Sequence, residues 1–325
     1  MKIETLILHP YEIPLITGRM RSGILLNITD EKGNEGWGEI APLPDWSFET
    51  LENSLEELSL RKEEIIQVEW TAQNCFEEIE KLQLLPSVTF GLESALLAIL
   101  SPLPSHRVSI SALLTGTASE ILEKAKLRHE ESYLSAKLKV SNLTFEEAYE
   151  VIQTLKDKFR LRIDVNRTWD TEESLAFFAK FPIDTFDYVE EPFRNPRDLS
   201  RFYHPLAIDE SFPNDLSFED LEKLPTLKAL IYKPTIQGGM TRCLPLCKWT
   251  TERGISLVLS SSFESDLGLS HVASLAHRLS LSSPVGIGTY HHLTERVSEH
   301  SLHISEAIAH IPAKIVPKAT AIRNF

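Results

Sequence analysis

The stretch Ser135-Ala136-Lys137-Leu138-Lys139 is followed along the chain by Arg162-Ile163-Asp164-Val165-Asn166, Glu190-Glu191-Pro192, Asp209-Glu210-Ser211 and Lys233-Pro234. In each, charged residues close a short apolar run, the pattern of a carboxylate or ammonium at the end of a buried parallel strand. Further short apolar runs surround these, so that 108–113, 134–140, 161–165, 188–190, 206–209, 229–232, 256–259 and 285–287 form eight strand candidates. Amphipathic helices fit between nearly all of them. The clearest span 144–158 and 171–181, with Thr144 and Thr171 as capping residues and acids in each first turn. Eight strands alternating with helices predict an α/β fold built on a parallel barrel, whose working face lies at the C-terminal ends of its strands.

Upstream, the pattern is different. Residues 3–12 and 24–30 alternate in the β manner, and Asp30-Glu31-Lys32-Gly33-Asn34 turns back into Gly36-Trp37-Gly38-Glu39-Ile40, which predicts an antiparallel meander. A basic, glycine-bounded loop, 17–23, lies within it. A second loop, 41–47, leads into a helix for which Ser47 is the expected cap, with Thr50 close behind. Helical patterns continue with breaks to about Ser101. The most apolar stretch, 84–103, is interrupted by Pro86, Gly91 and Glu93, so it reads as a core helix and not a membrane span.

The chain of 325 residues, 42% hydrophobic and 25% charged, has the composition of a soluble globular protein large enough for two domains. Its net charge of −14 argues against nucleic acid and anionic membranes as partners. Three cysteines, Cys75, Cys243 and Cys247, are too few and too scattered for a disulfide framework and are expected to pack as small hydrophobes. The opening residues lack the pattern of a signal peptide, which leads us to expect a cytoplasmic protein. His291, His292, His300, His303 and His310 match no zinc-binding spacing, so the tail is expected to pack back across the N-terminal region. Nothing in the sequence bears on oligomeric state.

Asp164, Glu190 and Asp209 carry the chemistry. Taken singly, each could cap a helix or pair with a surface lysine. At the ends of successive strands they would repel one another unless a cation sat among them, and an all-oxygen set favours Mg²⁺, or Mn²⁺, over zinc. Lys137 and Lys139 stand two apart on one strand and so point the same way, while Lys233 ends a strand across the mouth. A lysine base, its cationic neighbours and a Lewis acid together describe abstraction of a proton next to a carboxylate, where the second negative charge of the enolate must be held.

With these motifs the sequence resembles the enolase superfamily, and within it the o-succinylbenzoate synthase family of menaquinone biosynthesis. The carriers are Lys137-Leu138-Lys139, Arg162 to Trp169, Glu190-Glu191-Pro192, Asp209-Glu210-Ser211 and Ile231 to Thr235, joined by Gly36 to Pro44 and the serine run Ser260 to Ser265. The resemblance covers nearly the whole chain. It implies a modified TIM barrel, (β/α)7β, over 107–289, and an N-terminal α+β capping domain over 1–106 with the segment from about 290–325 packed back on it.

The resemblance also implies Mg²⁺ on Asp164, Glu190 and Asp209, Lys139 as the base and Lys233 as the cation that stabilises the enolate. Lys137, Asn166, Ser262 and Arg19 would meet a small carboxylate substrate, with Arg21 as an alternative to Arg19 and with Ser260 to Ser262 as alternative caps for the next helix. The implied reaction is the syn dehydration of 2-succinyl-6-hydroxy-2,4-cyclohexadiene-1-carboxylate by a hydro-lyase. Alternatives are an N-succinylamino acid racemase, a dipeptide epimerase, or a non-catalytic binding protein on the same fold. Gly286-Ile287-Gly288-Thr289-Tyr290 offers no acid for a free ammonium, which weakens the epimerase reading.

Overall fold

A computed structural model describes residues 1–321. The chain opens with β1 (Ile3–Pro14), β2 (Met20–Asp30) and β3 (Glu35–Ile40), an antiparallel sheet in that order. Then come α1 (Leu51–Gln67), α2 (Cys75–Leu82) and α3 (Pro86–Leu100). The cap of α1 is Thr50 and not Ser47. Thr50 forms a capping box with Asn53, whereas the Ser47 hydroxyl accepts from Leu43 N at 2.8 Å and so braces the preceding loop.

Alternation along β3 explains its glycines. Gly36, Gly38 and Ile40 face α3, and a Cβ on Gly38 would run into the carbonyl of Gly91, so the strand lies directly on the helix backbone. The other face of β3 then presents Trp37 and Glu39 away from α3. A core of Ile24, Leu26, Ile28, Leu58, Trp70, Val88 and Leu92 closes this layer.

The second unit begins with β4 (His106–Ser109), β5 (Ala112–Leu114), α4 (Ala118–Glu130), β6 (Ser135–Lys139), α5 (Phe145–Leu155), β7 (Arg160–Asp164), α6 (Thr171–Phe178), β8 (Phe186–Glu190) and β9 (Leu206–Ile208). It continues through α7 (Phe218–Glu222), β10 (Leu227–Tyr232), α8 (Pro234–Gln237), α9 (Gly239–Glu252), β11 (Ser256–Leu259) and α10 (Asp266–Arg278). Strands β5 to β11 form one parallel sheet in chain order. The eighth predicted strand, 285–287, is not a regular strand. Its backbone closes the ring through single parallel bridges, Ile110 to Val285 and Ser260 to Gly286. These give a barrel of seven strands plus a closing segment, as (β/α)7β requires.

Two other expectations are corrected. The run 108–113 divides, because its first part belongs to β4, which pairs antiparallel with the C-terminal segment, and only β5 enters the barrel. Helix α6 is preceded by Asp170 as its N-cap, while Thr171 lies inside the first turn and donates to Asp198 at 2.8 Å. Thr144 does cap α5, in a box with Glu147.

The C-terminal strands are β12 (Ser298–His300), β13 (His303–Ser305), β14 (Ile308–Ile311) and β15 (Val316–Pro317). β14 pairs with both β13 and β4. Leu293, Val297 and Ile315 pack with Tyr11, Ile13, Leu25 and Trp37 of the N-terminal sheet, and Ile16 N donates to His292 O at 2.9 Å. Cys75 and Cys243 are buried and Cys247 half-buried, all as free thiols. Among the described residues no helix is long and apolar enough to cross a membrane.

Candidate active site

The C-terminal ends of β6, β9, β10 and β11 and the turn after β7 line a cavity of about 720 Å³, roofed by Ile16, Thr17, Arg19, Leu43 and Trp46 of the N-terminal layer. Parallel register brings the charged residues together. Lys139 pairs with Asp164 across β6 and β7, and Asp164 with Glu190 across β7 and β8. Asp209 follows the last residue of β9, and Lys233 that of β10. In an eight-position ring β6 and β10 lie half a turn apart, so Lys139 and Lys233 enter from opposite sides.

Asp164 and Glu190 are fully buried and Asp209 almost so. Lys137 Nζ lies 2.8 Å from Asp164 Oδ2, without a well-aligned hydrogen bond, and donates to Glu190 Oε1 at 2.6 Å. Lys233 Nζ pairs with Asp209. Lys139 is the most open of the three lysines, its side chain 34% exposed against 16% for Lys137 and 14% for Lys233. Its Nζ donates to Asn166 Oδ1 at 3.2 Å and stands 3.6 Å from Asp164. Just beyond the strand ends Asn166 takes φ 49° and Glu191 φ 46°, left-handed conformations that turn the backbone sharply at the mouth.

The electrostatics follow from this crowding. Burial, reinforced by the charge of Asp164, holds the Glu190 carboxyl well above its usual pKa. Burial would raise Asp164 too, but the ammoniums of Lys137 and Lys139 outweigh it and hold Asp164 low. Burial works against the charge on Lys137, yet Asp164, Glu190 and Asp209 together hold its pKa well above the usual lysine value. Lys233 is raised in the same way, chiefly by Asp209.

The three carboxylates are an oxygen donor set suited to a hard divalent cation. Glu190 Oε2 is buried without a hydrogen-bond partner, which fits an unmet ligand position. Among the described residues, however, no three acids are gathered as closely as one ion requires, because lysine ammoniums stand between them. The donors fit such an ion chemically, and the lysines supply the countercharge in this arrangement.

Behind these groups Glu191 accepts from Asp209 N at 2.8 Å, Ser211 N at 2.9 Å and Ser211 Oγ at 2.5 Å, which fixes the loop that presents Asp209. Burial, then the neighbouring Glu210, pushes its pKa up to about 8. Glu264 accepts from Thr235 Oγ1 and from Ser262 N, both at 2.6 Å, and ties the loop after β11 to the one after β10.

Of the expected substrate contacts, Asn166, Ser262 and Arg19 line the cavity, and so does Lys137, although its ammonium is engaged by two carboxylates. Arg21 is withdrawn as an alternative. It is buried, and its guanidinium donates to the carbonyls of Phe263, Ser22, Pro42 and Ala41, so it braces the roof. Ser260 to Ser262 do not cap α10, since Ser265 does. The loops around Arg19 and around 44–47, which resemble caps over the substrate, do lie at the cavity, and Lys124 and His292 join its lining although neither stood among the expected substrate contacts. Trp46 lies with its ring 5.1 Å from Lys233 Nζ.

A barrel with acids at the ends of its third, fourth and fifth strands, lysines on its second and sixth, and an α+β cap is the construction of the enolase superfamily. Residues 120–315 match the family model described as Enolase C-terminal domain-like, and residues 10–99 the one described as MenC, N-terminal domain. The o-succinylbenzoate synthase of Edwardsiella ictaluri is 33% identical over 302 residues, 87% of this chain and 89% of that one. That of Haemophilus influenzae is 31% identical over 83% of each. The chain belongs to the o-succinylbenzoate synthase family of the enolase superfamily. Among solved structures, the L-Ala-D/L-Glu epimerase from Bacillus subtilis superposes with a TM-score of 0.83 at 18% identity, over 98% of each chain. A muconate cycloisomerase variant gives 0.82 at 19%, over 99% of each. At these identities they share the fold.

Proposed function

We propose that this site catalyses the syn dehydration of 2-succinyl-6-hydroxy-2,4-cyclohexadiene-1-carboxylate to 2-succinylbenzoate, a hydro-lyase step of menaquinone biosynthesis. The observation that carries the reading is the pair of lysines entering one cavity from opposite sides, Lys139 open to it and Lys233 with the Trp46 ring 5.1 Å from its ammonium. In this reading 1–106, with the segment from about 290, is the cap and 107–289 the catalytic barrel. The free cysteines accord with a cytoplasmic location.

Lys139 removes the ring proton next to the carboxylate, and Asn166 holds its amine toward the cavity. Carrying that proton, Lys139 then delivers it to the hydroxyl leaving from the adjacent carbon. The C–H and C–O bonds break on one face, one water departs and the ring becomes aromatic. Lys233, on the other face, stabilises the enolate by its charge. Asp164, Glu190 and Asp209 would hold Mg²⁺, or Mn²⁺, and when bound this ion supplies Lewis-acid stabilisation of the second negative charge. Lys137, already among these acids, orients the substrate carboxylate.

The test is loss of the cyclohexadiene absorbance on mixing protein and substrate, with Mg²⁺ and then with chelator. Rapid Mg²⁺-dependent conversion is expected. No conversion by folded, metal-supplied protein would reject this substrate. The absence of an acid in Gly286-Ile287-Gly288-Thr289-Tyr290 favours racemisation of N-succinylamino acids as the second reading.

A further inference from the structure

The proposed substrate carries two carboxylates. One belongs beside the reacting carbon, among Lys137, Lys139 and the acids. The other, at the end of a flexible succinyl arm, needs a countercharge elsewhere in the same cavity, because an unpaired carboxylate loses its hydration on entering.

The serine run does not provide a charge, and its hydroxyls are committed or enclosed. Ser261 Oγ is 2.9 Å from Gly286 O and 2.7 Å from Thr289 Oγ1, and Ser260 Oγ is 3.4 Å from Gly286 O. Ser262 Oγ is sealed from solvent. Lys137 and Lys233 are paired with acids. Two cationic side chains on the cavity wall remain, Arg19 and Lys124.

Arg19 sits on an exposed loop. Lys124 is half-buried on α4, a helix packed on the barrel. Its i−4 neighbour Glu120, on the same cavity wall, is the ordinary partner for such a lysine, but Glu120 is held by the capping box of Thr117, and the two form no ion pair within 4 Å. Lys124 instead reaches over the top of β5 and donates to Thr115 O at 2.7 Å, which leaves two of its three N–H groups for the cavity. Burial, and then the charges of Lys124 and Lys139, lower the His292 pKa. Lys124 and Lys139 line the same cavity.

We propose that Lys124 is a specificity-determining residue, forming the subsite for the distal carboxylate of the substrate. The inference rests on the proposed reaction. Its test compares wild type, Lys124→Gln, Lys124→Arg and Arg19→Gln by kinetics and by calorimetric binding of 2-succinylbenzoate and of its distal amide. Loss of one charge-assisted hydrogen bond predicts for Lys124→Gln a KM and a product Kd raised about tenfold or more, with kcat within about twofold. The distal amide should bind wild type and Lys124→Gln alike, and Lys124→Arg should restore most of the affinity. Equal product affinity in wild type and Lys124→Gln, an equal loss with the amide, or a loss confined to Arg19→Gln would each overturn the subsite while leaving the reaction standing. A wild type that neither turns over the substrate nor binds the product would remove the reaction and the subsite together.

Discussion

Glu93, on α3 of the N-terminal layer, sets its carboxylate in the space that a side chain would need at Gly239, the first residue of α9. There it accepts from Met240 N, Thr241 N and Thr241 Oγ1, so a carboxyl group from one layer closes the N-terminus of a helix in the other. Glu39 does the same at α10, accepting from Tyr11 OH at 2.8 Å and from Ser265 N and Gly268 N at 2.9 Å. Since α9 and α10 follow β10 and β11, these two acids dock the roof onto the strand ends that carry Lys233 and the serine run.

Burial, opposed by the hydrogen bonds from Thr241 and Met240 and by the charge of Arg242, lifts the Glu93 pKa from 4.5 to about 7. An acid whose folded pKa is raised binds more protons in the native than in the unfolded state between those values. Its contribution to stability therefore falls as pH rises through that window. The urea midpoint of wild type minus that of Glu93→Gln should decline from about pH 5 to about pH 7 and then level off. A difference that rises across the window would contradict this assignment.

Gly38→Ala would place a methyl against the carbonyl of Gly91 and push β3 off α3. Overpacking of this kind costs about 1–3 kcal/mol, to be read from denaturant unfolding. A smaller loss would mean that strand and helix have room to separate.

Lys139→Ala should abolish turnover while the fold survives, because among the described residues its ammonium makes one hydrogen bond, to Asn166, and a 3.6 Å approach to Asp164. Retention of the wild-type melting temperature together with no detectable product is the expected pair of results. Substantial residual activity would assign the base elsewhere.

Mg²⁺ in about hundredfold excess over its Kd should raise the melting temperature by about 4 °C, since an ion that binds only the folded state stabilises it by about 2.7 kcal/mol. Glu190→Gln should lose most of that shift, because the buried, unpartnered Oε2 is one of the oxygens offered. An undiminished shift in this variant would move the ion away from the strand ends.

Much was legible in the sequence for a local reason. A buried parallel strand must be apolar until it surfaces, so Asp164 and Glu190, which close β7 and β8, and Lys233, which follows β10, announce the strand ends, and the two-residue period puts Lys137 and Lys139 on one face. Thr144 and Glu147 likewise reveal a helix start, since the cap needs only its own neighbours. Where two local solutions compete, sequence misleads: Ser47 and Thr50 can both cap, and the bracing of Leu43 N takes Ser47 away.

Only the tertiary structure decided the rest. Glu39 meets Ser265 across 226 residues and Glu93 meets Thr241 across 148, separations at which no periodicity survives. Residues 285–287 fail to become a regular strand because closure leaves them single bridges to two neighbours. Lys124 carries no local signal of its place in the cavity, which it takes by folding over β5 to donate to Thr115 O. The sequence by itself determined which residues stand at the strand ends, because burial and backbone period act within a few residues. Folding determined what faces them, because opposing charge, docking and ring closure depend on groups that are distant along the chain.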